Sequence, residues 1–287
     1  FMHKELNYRI DNQVLCIFIA MDEKKKDLIK VGIKSYVVGA SMTVPGVSGG
    51  SMAMVLGIYD RIISSVPLLL TKDFKKGFLF LLLAGLCGLV GAFSASPVLS
   101  FLLKNYFTIV MFFFLGAIVG SIPMIIKKSQ LNKSNWYDAF FIILGIAIVT
   151  LISFIPEDIV SLGESSFLSQ FICGVLVSIG FVLPGISFTY LLVVLGLYES
   201  LIGHLSNLEI LPLIPLSVGI VVGVFLLSGL LKKSMESFPQ ITFPIILGFL
   251  IGSLPQVFPS LPAGIEILFS LLSFVAGLLI IYFVSKE

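Results

Sequence analysis

"VPGVSGGSMAMVLGIYDR", Val44 to Arg61, sets a proline, a cluster of glycines and two serines inside a chain that otherwise reads as membrane helix. A near copy, "LPGISFTYLLVVLGLYES", runs from Leu183 to Ser200. A shift of 139 positions superimposes Pro45 on Pro184, Gly46 on Gly185, Ser48 on Ser187, Gly57 on Gly196 and Tyr59 on Tyr198, with Asp60 meeting Glu199. A second echo follows in each half, "GAIVGSIP" (Gly116 to Pro123) against "GFLIGSLP" (Gly248 to Pro255). Two motifs in the same order point to an internal duplication. Each Pro-Gly frees backbone N–H and C=O groups that lipid cannot satisfy, so each break must be buried in protein or line a polar cavity.

The composition sets the solvent. Hydrophobic residues make up 57% of the 287 and charged ones only 12%, with a mean hydropathy of +1.11. A soluble domain cannot hide that much apolar surface, so the fold class is an all-α polytopic membrane protein. Hydrophobic segments fall at Leu28–Val44, Gly50–Leu70, Gly77–Ala95, Phe107–Ile126, Tyr137–Ile155, Phe167–Leu183, Ile186–Ile202, Leu211–Leu231, Ile241–Phe258 and Ile265–Val284. The first twenty residues differ in composition, and translation is expected to start at Met21. The chain then divides into an N-terminal extension (1–27), a first membrane repeat (28–136), a linking transmembrane helix (137–156), a second repeat (167–258) and a final transmembrane helix (263–284).

Parity fixes the relation of the repeats. If each Pro-Gly pair is a re-entrant hairpin the first unit crosses the membrane twice; if both of its segments span, four times. The extra segment Tyr137–Ile155 makes the total odd either way, so an inverted-topology repeat with two broken or re-entrant hairpins is expected. Lysines test this through the positive-inside rule. With Lys24, Lys25, Lys26 and Lys30 inside, the groups Lys72, Lys75, Lys76 and Lys127, Lys128, Lys133 fall inside too, as do Lys232, Lys233 and Lys286. Glu157, Asp158, Glu164, His204 and Glu209 fall outside, and Lys104 alone breaks the pattern. Both termini are therefore expected on the cytoplasmic side.

In inverted-repeat transporters, paired helix breaks near the midplane mark the substrate site, because half-helix N-termini present unpaired N–H groups. Gly46, Gly49 and Gly50 allow close backbone approach and Ser48 and Ser51 add hydroxyls. In the second half Gly185, Ser187, Thr189 and Tyr190 hold the matching places. Two such N-termini facing each other would make an anion site suited to phosphate or carboxylate. Arg61, the only arginine in the hydrophobic region, lies about four turns from Ser48. It is read either as a partner of Asp60, Glu199 or a phosphate, or as a snorkelling interfacial charge. Asp60 and Glu199, at equivalent places, are candidates to carry a coupling proton or cation, against the plainer reading of carboxylates at helix ends.

Other chemistry is thin. Cys16, Cys87 and Cys173 are too scattered for a metal site, and His3 and His204 are the only histidines, so no catalytic residue, metal or cofactor is assigned. No nucleic-acid partner is expected, and the oligomeric state is left open. Gly116/Gly120, Gly248/Gly252, Gly219/Gly223 and Ala84/Gly88/Ala92 put small residues on one helix face and are read as helix-packing points.

The paired motifs, in a chain of this length, resemble the bacterial polyprenyl-phosphate transporter family PopT, long catalogued as a domain of unknown function. The likeness covers Leu28 to Val284. It implies a bacterial cytoplasmic-membrane transporter, a flippase that returns undecaprenyl phosphate, the lipid carrier of cell-wall precursors, for re-use. It also implies that Pro45–Gly50 and Pro184–Ser187 hold the phosphate, and that Arg61 is the basic residue following Tyr-acidic. Two departures stand out: Phe188 where the family usually has glycine, and Ser51 where it often has threonine. Phe188 removes backbone freedom on its side and counts against a strictly two-sided clamp. A transporter of a small soluble anion, an intramembrane lipid-phosphate enzyme and a channel are the competing readings.

Overall fold

A computed structural model describes residues 23, 25–129, 136–155, 166–207 and 209–284. The expected start at Met21, and the loop charges Lys24, Lys133, Glu157, Asp158, Glu164 and Lys286, lie outside them. The described residues are helical, without strands. The elements are α1 (residues 25–41), α2 (Gly49–Val55), α3 (Tyr59–Leu68), α4 (Phe74–Lys128), α5 (Trp136–Ser153), α6 (Phe167–Val182), α7 (Phe188–Val194), α8 (Tyr198–Ser206), a 3₁₀ turn at Leu211–Leu213, α9 (Ile214–Ser237), α10 (Pro239–Val257) and α11 (Glu266–Val284). Among the described residues five helices, α4, α5, α9 (with its 3₁₀ turn), α10 and α11, are long and apolar enough to cross a membrane.

Three expected segment boundaries need correction. Gly50–Leu70 is two helices, α2 and α3, parted at Gly57, whose φ of 72° few side chains tolerate. Ile186–Ile202 is likewise α7 and α8, parted at Gly196 with φ 66°. Conversely, the loop expected between Ala95 and Phe107 is helical, and only Tyr106 leaves helical dihedrals (φ −140°, ψ 40°).

That one residue turns the chain back. A straight helix of the length of α4, 55 residues, would reach about 80 Å. Yet both of its ends lie beside α3, a helix of about 15 Å. At one end, a Cβ on Gly77 would stand 2.8 Å from the Cβ of Leu68; at the other, the Lys128 ammonium donates to Asp60. The arms before and after Tyr106 therefore form a hairpin, and each is long enough to span a bilayer core. Phe238, between α9 and α10, carries the same backbone (φ −135°, ψ 53°) and is related to Tyr106 by the shift that superimposes "GAIVGSIP" on "GFLIGSLP". In the second half Pro239 removes the N–H that would continue the hydrogen-bond ladder, so the corner separates two helices.

The helix that follows α4 and the helix that follows α10 are exchanged. α5 packs along α10 and α11 along the second arm of α4. Glycines set both seams: a Cβ on Gly248 would stand 2.2 Å from the Ile142 carbonyl oxygen, and one on Gly116 2.0 Å from that of Phe274. Gly145 and Gly277 answer them from α5 and α11, against Ile245 and Phe113. Gly219 and Gly223 join α9 to α6, against Phe171 and Ser178. The small-residue spacings thus bring backbones together where lipid gives no hydrophobic drive between helices.

The core surrounds α2. One face, with Met52, Val55 and Leu56, packs on Met111, Phe114, Leu115 and Ile118 of α4. The opposite face, with Ala53 and Met54, meets Val182 of α6 and Ile246, Leu247 and Leu250 of α10. Met54 and Val55 are wholly buried, so this seven-residue helix owes its stability to packing rather than to its own length.

Candidate functional site

Both Pro-Gly turns press on α10. Gly46 has φ 77° and Gly185 φ 85°. A Cβ on either would lie 2.4 Å from a carbonyl oxygen of α10, Gln256 for Gly46 and Phe249 for Gly185. Conformation and contact both demand glycine there.

The turns also touch each other. Ser48 caps α2, its Oγ accepting from the Ser51 amide at 3.1 Å, and the two hydroxyls share a hydrogen bond of 2.8 Å. Across the interface the Gly185 amide donates to Ser51 Oγ at 2.8 Å and to Ser48 Oγ at 3.4 Å. A Cβ on Gly50 would stand 3.3 Å from the Cα of Pro184. Tyr59, 2% exposed, ties the halves again by donating its hydroxyl to the Val182 carbonyl at 2.5 Å, at the end of α6. A carbonyl freed by the Pro184 break thus finds a donor without reaching lipid.

Between the turns lies a cavity of about 240 Å³. Ser48, Gly49 and Gly50 line it from the first half, Ser187, Phe188 and Thr189 from the second, with Tyr59 and Ile63 beside them. The first two residues of α2 and of α7 therefore border one space, and the first amides of a helix lack intrahelical partners. Ser187 caps α7 by accepting from the Tyr190 amide at 3.4 Å. Phe188 is accommodated by Gly180: a Cβ there would lie 2.7 Å from the Phe188 Cα. In the first half the small residue is on the other helix, where Gly49 faces Met42.

The remaining expected residues lie around or away from this space. Gly46 and Gly185 back onto α10, Ser51 is buried in the interface, and the Tyr190 hydroxyl donates to the Ile155 carbonyl at 2.8 Å. Arg61 does not face the cavity. Its guanidinium makes two hydrogen bonds, of 2.9 and 2.8 Å, to the carboxylate of Asp27 and sits 4.6 Å from the centre of the Phe80 ring. Asp60 is held by Lys128 and Glu199 is exposed on α8, so neither is the partner of Arg61. Asp27 escaped the sequence reading because it precedes the first apolar segment by one residue and pairs across 34 positions. An acidic residue amid "EKKKDLIK" was the signal available. The hydrogen bond from Arg61 holds the Asp27 carboxyl below the usual aspartate range, burial opposes this, and the charges of Arg61 and Lys30 add to the lowering.

Arg61 opens instead onto a second cavity, of about 760 Å³, between α1, α2, α4 and α11. α2 is the wall between the two: Met52 lines the larger and Ala53 the smaller.

A family model described as undecaprenyl phosphate translocase-like matches residues 38–267. A polyprenyl-phosphate transporter of Staphylococcus aureus is 32% identical over 262 residues, 86% of this chain and 93% of that protein. A second, from Vibrio cholerae, is 26% identical over 258 residues, 83% of this chain and 80% of that one. No solved structure matches the chain. With five helices of membrane-spanning length and hydropathy among the described residues, and with these relatives, the protein is a multi-pass membrane protein. Its motif pair, its hydropathy and the match over most of its length agree: the chain belongs to the undecaprenyl phosphate translocase-like family.

Proposed function

We propose that the protein carries a polyprenyl phosphate of the undecaprenyl type across the bacterial cytoplasmic membrane, inward, returning the lipid carrier for cell-wall synthesis. The observation that carries this reading is the meeting of the two Pro-Gly turns around one cavity, in a chain of this family. An isolated anion in hydrocarbon costs many kcal/mol, so the headgroup needs a polar refuge while the tail stays in lipid. The amides opening α2 and α7, with Ser48, Ser187 and Thr189, are suited to a phosphate. In the state described, Ser48 and Ser51 are engaged by the Gly185 amide; exchanging that bond for a phosphate oxygen would couple headgroup binding to separation of the turns.

The two halves, 28–136 and 167–258, are taken as inverted re-entrant hairpins, each followed by its spanning helix, with both termini cytoplasmic. Contacts support this sense. The start of α1 lies with Arg61 near the Lys128 end. The start of α6, at Gln170, lies with His204 and Pro212, and its last residue reaches Tyr59. Asp60 and Glu199 are the carboxylates offered for coupling to a proton or cation.

Reconstitution into liposomes tests the reading. Wild-type protein is expected to move undecaprenyl phosphate between leaflets without releasing inorganic phosphate. Ser48→Leu, which fills the cavity, is expected to abolish movement in protein that still purifies as a single species. Movement of a soluble anion with no lipid transfer, or wild-type rates in Ser48→Leu, would defeat it.

A further inference from the structure

The larger cavity has a polarity gradient of its own. One stripe of α1 faces it at helical spacing, Lys26, Asp27, Lys30 and Lys34 and then Val37 and Ala40. Its first part carries the charges, interspersed with Val31 and Ile33, and beyond Lys34 the lining from α1 is uncharged. From Lys26 to Ser41 the lining covers about 22 Å at the helical rise. On the facing wall Arg61 stands at the charged end and Phe113, Phe114 and Ala117 of α4 supply apolar surface, with Ile281 and Val284 of α11 lining the end nearer Lys128. Among the described residues, with Glu23, the charged end holds four cationic side chains against two carboxylates. A soluble anion would have no use for the apolar half, and an uncharged lipid none for the cations.

At the charged end Arg61 already grips a planar two-oxygen anion. The fork of its guanidinium on Asp27 is the geometry with which arginine also holds phosphate. The pair is half exposed, with side chains 46% and 49% accessible, so breaking it costs little. The ring of Phe80 keeps the guanidinium in place when the carboxylate leaves.

We infer that this cavity is a second, vestibular binding site for an amphiphile bearing a phosphate monoester, in which Asp27 occupies Arg61 until the phosphate displaces it. The inference rests on the transport reading for the identity of the amphiphile but not for the existence of the site. Asp27 acts as an internal competitor: it keeps Arg61 ordered in the empty site and gives way only to a stronger anion. α2 then separates the vestibule from the central cavity, so a headgroup passing from one to the other must move around or displace a seven-residue helix.

The test titrates the full chain in nanodiscs with three probes: a polyprenyl phosphate, the matching polyprenol and inorganic phosphate. Arg61→Gln is expected to weaken polyprenyl phosphate binding about tenfold or more. Asp27→Asn, which removes the competitor, is expected to tighten it about fivefold, and the double variant to behave as Arg61→Gln. Ala40→Phe, which places a ring in the apolar half, is expected to weaken both lipid probes. Unchanged affinity in both Asp27→Asn and Arg61→Gln overturns the site and leaves the transport reading standing. Binding that responds to both, in a wild-type protein that moves no lipid in liposomes, sinks the transport reading and keeps the site. Equal competition by inorganic phosphate overturns the amphiphile as occupant.

Discussion

The two Pro-Gly turns share a backbone and differ in chemistry. Each has a left-handed glycine after its proline, a serine cap on a seven-residue helix and a second left-handed glycine before the next helix. The first spends its hydroxyls across the interface, on the Gly185 amide, and buries Tyr59 against the end of α6. The second uses Ser187 only for its own helix and leaves Tyr198 39% exposed. Arg61, with its partner Asp27, has Ser200 as its counterpart. The two turns have matching frames; the polar contacts that join them come mostly from one.

The largest break in that comparison is expected at the glycines. Gly185→Ala puts a Cβ at positive φ and into the middle of α10, costing about 3 kcal/mol or more. Gly46→Ala meets backbone as well, but in the last turn of α10, where helix ends yield more readily than helix middles, and is expected to cost less, about 2–3 kcal/mol. Thermal unfolding in detergent, read side by side, checks the order.

The hydroxyls come next. Ser51→Ala removes the acceptor nearest the buried Gly185 amide and should cost about 1–3 kcal/mol. Ser187→Ala removes only a helix cap and should cost about 0.5–1 kcal/mol. Equal losses in the same unfolding assay would mean that the interface is chemically symmetric after all.

The smallest expected difference is between the tyrosines. Tyr59→Phe strands the Val182 carbonyl and should cost about 1–2 kcal/mol, whereas Tyr198→Phe should stay within about 0.5 kcal/mol. A larger loss from Tyr198→Phe would give α8 a contact that its exposure does not suggest.

Phe188 shows how far a departure from the family pattern can be read. The sequence marks it as a loss of freedom beside Pro184. The structure shows the crowding relieved one helix away, by Gly180 on α6. Arg61 shows the converse. Its chemistry was recognisable, but its cavity and its partner were not, because Asp27 and Arg61 belong to different helices that only tertiary packing brings together.

The sequence by itself determined the solvent and the places where helices must break, since hydropathy and the stereochemistry of proline and glycine act within a few residues. The tertiary structure alone decided that α4 doubles back at Tyr106, that α5 and α11 exchange partners, and that Ser51 faces Gly185. Each depends on which apolar and small-residue surfaces find one another across more than a hundred positions or around a single permissive corner. Local propensity does not encode that choice; the closest packing available to all the helices at once does.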